Sequence, residues 1–221
     1  MSKLGPLLWK DVLAEARSLE RTTTLGLFAA VVLITLHFAL PPGSAVRSNV
    51  AGGFLWATVV LASLLELRRS FESERRDGTL DGLRAAPIDP GLLYASKAIS
   101  NLLVLGLLVC VLVPVTAVIF VGRTAGIGPA IGVGLLGAAG LVGWGTLFAA
   151  MLGGTRGGEA VLPVLLFPLV VPQTIACVRL LSHYLTGDTG GDPATGFVIL
   201  VAFAALSVGT SLVLFDYVLD E

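Results

Sequence analysis

Two histidines, His37 and His183, and two cysteines, Cys110 and Cys177, make up the chain's entire stock of imidazole and thiol metal ligands. Their spacing builds no metal site. The cysteines lie far apart in apolar runs without a C-x-x-C, and no H-E-x-x-H pairs a histidine with a glutamate. Each imidazole is a weak candidate for ligating a haem iron; the plainer alternative is a hydrogen-bonded residue at a helix boundary. The cysteines fit as small apolar fillers. No G-x-S-x-G elbow and no G-x-x-x-x-G-K-[ST] loop occurs. The sequence therefore offers no catalytic residue and no metal site, and any ATP-driven step needs a P-loop on another chain.

One carboxylate group calls for a closer test. Asp77, Asp81-Gly82 and Arg84-Ala85 resemble the D-x-x-D-G-x-x-A-R motif of membrane phosphatidyltransferases only superficially. The aspartate spacing is one residue too long, the Ala-Arg order is inverted, and the downstream aspartate pair is missing. A divalent-metal site needs its carboxylates on one face at fixed spacing, so the lipid-transferase reading fails. Glu66 and Glu159 fall at helix ends, where the helix dipole accounts for Glu159.

The elements that must position these groups are membrane helices. Of the 221 residues, 55% are hydrophobic and only 13% charged, about half the charge of an ordinary soluble domain. Mean hydropathy is +0.92. A net charge of −1 without a dense basic face argues against nucleic-acid binding. The uncharged runs are continuous rather than alternating, which excludes a β-barrel. Each holds the ~20 apolar residues needed to cross ~30 Å of hydrocarbon. The prediction is an all-α polytopic membrane protein, one domain over 1–221, with six spans at 25–46, 48–66, 90–122, 126–153, 159–172 and 194–217. Eleven of the fourteen Lys and Arg residues fall on one side of these spans; Arg47, Arg123 and Arg179 fall on the other. The positive-inside rule then puts both termini in the cytoplasm. The first span reads as a span rather than a cleaved signal peptide, because it follows an amphipathic segment and lacks an A-x-A-like site.

Three pieces do not span. Residues 1–22 contain an interfacial helix, with Pro6 at a first helical position and a rough stripe from Leu8, Val12 and Leu19. Residues 67–89 form a cytoplasmic loop. Within it Asp77 is a plausible cap, Leu80 and Leu83 share one helical face, and Pro87 ends the helix. Asp89-Pro90 then caps and starts the next helix. The piece suits docking in a partner's groove, or it is a solvated loop that only enforces topology. The third piece follows from Pro163, Pro168 and Pro172. Each removes a backbone hydrogen bond and clashes with the preceding turn. They predict a kinked helix that breaks near Pro172, with 173–186 continuing as a re-entrant or interfacial segment.

Glycines crowd the fourth span at 126, 128, 132, 134, 137, 140, 143 and 145. Small residues let helices approach closely in lipid, within the chain or between chains.

Two stretches carry a family resemblance. Phe71-Glu72, then Arg76-Asp77-Gly78-Thr79-Leu80 and Leu83, closing with Ala86-Pro87, resembles a cytoplasmic-loop motif of ABC-2-type exporter permeases. It is closest to the version in the CcmB family, the haem exporter B membrane subunits of the cytochrome c maturation ABC transporter. Arg156-Gly157-Gly158 followed by Leu162-Pro163, Phe167-Pro168 and Val171-Pro172 is similar to a second stretch of that family. Asp81 departs from the usual glutamate, and Ala86-Pro87 from the usual Ser-Pro.

The resemblance implies an ABC-2-type permease fold in the bacterial inner membrane, with an elbow helix, a coupling helix between the second and third spans, and a re-entrant segment before the sixth. It implies an ATPase-contact surface at Asp77, Gly78, Thr79, Leu80, Asp81, Leu83, Arg84 and Pro87, and gating at Pro163, Pro168 and Pro172. The implied partners are a CcmA-like ATPase that binds the ATP, a haem-handling membrane subunit, a haem chaperone and a second permease copy. Haem is then cargo rather than resident cofactor. The competing functions are an ABC-2 exporter of lipid, glycan or drug, and a non-transporting membrane scaffold.

Overall fold

The computed structural model describes residues 19–41, 46–76, 90–152, 158–187 and 192–219. These residues form six helices: α1 (Leu19–Phe38), α2 (Val46–Arg76), α3 (Pro90–Thr116), α4 (Ile127–Leu152), α5 (Gly158–Thr186) and α6 (Pro193–Leu219). A π-helical turn, Ala117–Val121, extends α3 and ends at Gly122, whose φ of 71° and N–H to the Ala117 carbonyl close the helix. Five of the helices, all but α1, are long and apolar enough to cross a membrane, and the apolar part of α1, Thr22–Phe38, is shorter. The chain is a multi-pass helical membrane protein.

Three boundaries differ from those read in the sequence. First, α1 stops at Phe38, short of 46. Pro41 and Pro42 supply no N–H to carry the helix on, and the last turn closes with Leu40 N–H on the His37 carbonyl at 3.4 Å. Second, α2 continues past Glu66 to Arg76, so the first part of the expected loop is helical. That stretch is rich in helix formers, and Arg68, Glu72 and Arg76 recur at a spacing of four, which favours a helix.

Third, α5 is unbroken from Gly158 to Thr186 with all three prolines inside it. There is no break at Pro172, and 173–186 is not a separate re-entrant piece. The buried face explains this. Leu162, Leu166, Val170, Gln173, Cys177, Leu181 and Leu185 recur every three or four residues and are all buried, while Pro168 and Pro172 sit on the exposed side. The stripe packs on α2 and α4: Leu162 clusters with Ala149 and Leu64 before Pro163, and beyond Pro172 Cys177 meets Gly137 and Ser182 meets Gly52. That continuous packing outweighs the ~3 kcal/mol local cost of a helical proline, and membrane helices tolerate prolines where neighbours hold the segment.

The centre of the bundle is α4, which packs against α2, α3, α5 and α6, whereas α1 rests mainly on α2. Glycine makes this possible. A Cβ at Gly143 would lie 2.6 Å from Ser207 Oγ, and one at Gly140 would lie 2.6 Å from Gln173 Oε1. Gly128 and Gly132 instead face open space. The close-packed part of the glycine run therefore serves contacts within the chain. Trp56, Leu105, Leu141, Leu166 and Phe215 fill the core between these helices.

Candidate functional site

A line of side chains, each reaching the α4 backbone or a hydroxyl, runs along α4 between Gly137 and Thr146. The sequence analysis did not single it out. The Tyr94 hydroxyl and the Ser211 hydroxyl both donate to the Gly143 carbonyl, at 3.1 and 3.0 Å. Asn101 Nδ2 donates to Thr146 Oγ1 at 3.1 Å, and Gln173 Nε2 donates to the Gly137 carbonyl. Trp56 of α2, whose ring lies beside Gly137, donates Nε1 to Thr174 Oγ1 of α5 at 3.4 Å. In hydrocarbon a polar side chain must find such a partner, and each bond contributes on the order of 1 kcal/mol. The seam ties α3, α5 and α6 to one helix. Its signal in sequence is faint: one amide or hydroxyl per apolar turn, Gln173 being the chain's sole glutamine. Tyr94→Phe together with Ser211→Ala should lower the thermal midpoint in detergent by a few degrees with membrane level intact. Such a change corresponds to about 1–2 kcal/mol.

At the end of the bundle that carries Arg47 and Arg123, the π turn of α3 places Phe120 edge-on to His37, with centroids 5.1 Å apart, and edge-on to Phe54 at 5.9 Å. His37 Nε2 faces Arg47 Nη1 at 3.5 Å, and Arg47 Nη2 donates to the Leu40 carbonyl at 3.1 Å. Arg47 thus fastens the end of α1 to the start of α2. His37 turns Nε2 to a guanidinium and keeps Nδ1 buried without a hydrogen-bond partner. Arg123 similarly joins the ends of α3 and α5 through the Thr186 carbonyl at 2.9 Å.

His183, one turn before Thr186 in α5, lies at the same end in separate surroundings. It lines a cavity of about 580 Å³ between α5 and α6, with Arg179 and Asp192. Its ring meets Tyr184 edge-on at 5.1 Å. Asp192 caps α6, accepting from Ala194 N–H at 3.1 Å and from Thr195 N–H and Oγ1 at 3.3 and 2.9 Å. The Thr195 hydroxyl and the Ala194 N–H hold its carboxyl below the usual carboxylate range. No described contact joins the two histidines, and no three His, Cys, Asp or Glu among the described residues converge as a metal site.

The expected partner contact is read in the sequence between α2 and α3. Asp77, Gly78, Thr79, Leu80, Asp81, Leu83, Arg84 and Pro87 lie outside the described residues. Their anchors are described: α2 delivers the chain at Arg76 and α3 takes it up at Pro90. Near these anchors Glu66 and Lys97 are 1% and 8% exposed. Buried charges persist in a bundle only when partnered, so this end carries fixed polar structure within the helices as well as the charged segment between them.

The class defined so far is a multi-pass helical membrane protein built round one glycine-rich helix, with a short charged segment held between two long helices. Comparison with known proteins makes this specific. The sequence matches the family described as CcmB protein over residues 3–216, and the chain belongs to that family. It is 33% identical to Heme exporter protein B of Paracoccus denitrificans (strain Pd 1222) over 79% of each chain. It is 34% identical to the Rhodobacter capsulatus protein of that name, over 74% of this chain and 75% of the relative. The Bradyrhizobium diazoefficiens protein of that name is 29% identical over 94% of this chain and 93% of its own. The family read from residues 71–87 and 156–172 is thereby established.

Proposed function

We propose that this chain is the permease subunit of an ABC transporter for haem export in cytochrome c maturation. The observation that carries the reading is membership of the CcmB family across nearly the whole chain, supported by relatives named Heme exporter protein B. The architecture is compatible in physical terms. Five long apolar helices supply a membrane body, and the sequence has no P-loop of its own. Energy must then arrive through contact with an ATPase. Residues 77–87, held between α2 and α3, are the segment placed to receive it. The ATPase's stroke would move the joined ends of α2 and α3, and α4 would pass that motion to α5 and α6. The outcome is haem export, or release of a haem-loaded chaperone on the far side. Because no helix break occurs at Pro172, gating is assigned to tilting of α5 as a unit.

The site is the inner membrane of a bacterium, with both termini and the 77–89 segment cytoplasmic by the distribution of Lys and Arg. In a Cys110→Ser background, cysteines at Ser73 and Thr195 should label from opposite sides in intact cells. Thr195 is exposed beside the α6 cap, which suits a reporter. Periplasmic labelling at Ser73 would reverse the orientation.

The functional reading is tested by deleting the gene in its source organism and staining for covalently bound haem. Loss of c-type cytochromes, restored by the wild-type gene, is expected. Normal c-type cytochromes in the deletion strain would refute it and favour an exporter of another cargo.

A further inference from the structure

The α5–α6 cavity combines three properties. Its walls include Ile175, Leu180 and Ile199, so it accepts an apolar body. At about 580 Å³ it falls in the size range of small-molecule sites, ~300–1,000 Å³. Arg179 and His183 both line it, and their spacing of four residues puts them one helical turn apart on the same face of α5.

Their bonding state matters more than their presence. Arg179 makes no hydrogen bond or ion pair with another described residue, in contrast to Arg47 and Arg123, which are both engaged with backbone carbonyls. The His183 carbonyl accepts from Gly187 N–H at 2.9 Å, but its ring meets only Tyr184 and makes no side-chain hydrogen bond to another described residue. Asp192 is the one carboxylate among the lining residues, but it is committed to the α6 N-terminus through three hydrogen bonds. The cavity thus presents a ligand with apolar walls, an uncommitted guanidinium and an uncommitted imidazole. A guanidinium pairs with a carboxylate or phosphate. An imidazole with a free lone pair ligates a transition metal such as haem iron. A phospholipid would use the walls and the guanidinium and leave the imidazole idle. A metalloporphyrin with carboxylate edges uses all three.

We propose that this cavity is a haem-binding site on the permease itself, in which a ring nitrogen of His183 donates its lone pair to the iron and Arg179 pairs with a propionate. The inference rests on the reading that haem is this transporter's cargo. It predicts that haem contacts α5 and α6 at the cavity mouth, rather than staying wholly on another subunit.

The test is titration of the purified full-length chain in detergent with ferric protoporphyrin IX, followed at the Soret band. Wild type should give a saturable Soret shift, and His183→Ala should lose it. His183→Gln, which preserves side-chain bulk, should lose it too, at wild-type thermal stability. Arg179→Ala should weaken binding about tenfold, the loss of one charge-assisted pair, and Arg179→Lys should recover part of it. His37→Ala should titrate as wild type. Two results would overturn the proposal: no saturable shift in wild type, or an unchanged shift in both His183 variants. A third would be a co-purified phospholipid that Arg179→Ala releases, with no haemin shift in wild type; the cavity would then be a lipid site. Failure here, with c-type cytochromes still lost on gene deletion, removes this site and leaves the functional reading standing.

Discussion

Gly143→Leu is expected to prevent accumulation of folded protein, or to lower its thermal midpoint in detergent severely, while Gly132→Leu leaves both near wild type. The difference is geometric. A Cβ at Gly143 would sit 2.6 Å from Ser207 Oγ, 2.9 Å from Ser207 Cβ and 3.1 Å from the Ser207 backbone carbonyl carbon. Rotating a side chain does not relieve the last of these, so α4 and α6 must separate. The same glycine's carbonyl takes hydrogen bonds from Tyr94 and Ser211, and separation would break at least the second. Overpacking costs ~1–3 kcal/mol and a lost buried hydrogen bond ~1 kcal/mol more. The sum is a large share of the stability of a typical domain. Gly132 has open space beside it. The measurement is membrane protein level together with the detergent melting curve, and equal behaviour of the two variants would remove α4 from the centre of the packing.

The second large effect concerns coupling. Leu80 and Leu83 fall on one face of the short helix read between Asp77 and Pro87. Docked in an ATPase groove they would bury apolar surface worth a few kcal/mol at ~25 cal/mol per Å². Asp77, Asp81 and Arg84 would ring the contact, each rim charge contributing ~1 kcal/mol or less. Leu80→Asp with Leu83→Asp would place two uncompensated carboxylates in that contact, a far larger penalty than losing the leucines alone. The ATPase should no longer co-purify, and c-type cytochromes should disappear. Membrane insertion and protein level should hold, because no span is altered. Retention of the ATPase by the double variant would make 77–87 a solvated loop and move the coupling contact elsewhere.

The membrane-spanning body was legible in the sequence because charge is costly in lipid. The runs that form α3, α4 and α6 are uncharged where they cross, and Pro90 marks the start of α3 by its own backbone chemistry. Where local rules and packing conflicted, the sequence misled. Pro172 carries a real local cost, yet Gln173 and Cys177 beyond it continue the same buried face, and only the position of α2 and α4 shows that this face is fully occupied. The seam at Tyr94, Asn101, Gln173 and Ser211 was illegible for a related reason. Its members are scattered singly through apolar turns, and they become one feature only when α4 brings its carbonyls between them. His37 and His183 look equivalent as sequence positions. In the fold one faces Arg47 and the other a cavity, a distinction set by which neighbour each helix end meets. The family signature at 71–87 and 156–172 was the most informative local pattern for function.

The central claim is that this permease works with an ATPase of the cytochrome c maturation system. Its most direct test is purification of the tagged full-length chain from its own membranes in mild detergent, with identification of every protein that remains bound. One stoichiometric partner carrying G-x-x-x-x-G-K-[ST] is expected, with ATP hydrolysis in the purified complex. A chain recovered without any P-loop protein, from cells in which c-type cytochromes are being made, would contradict it.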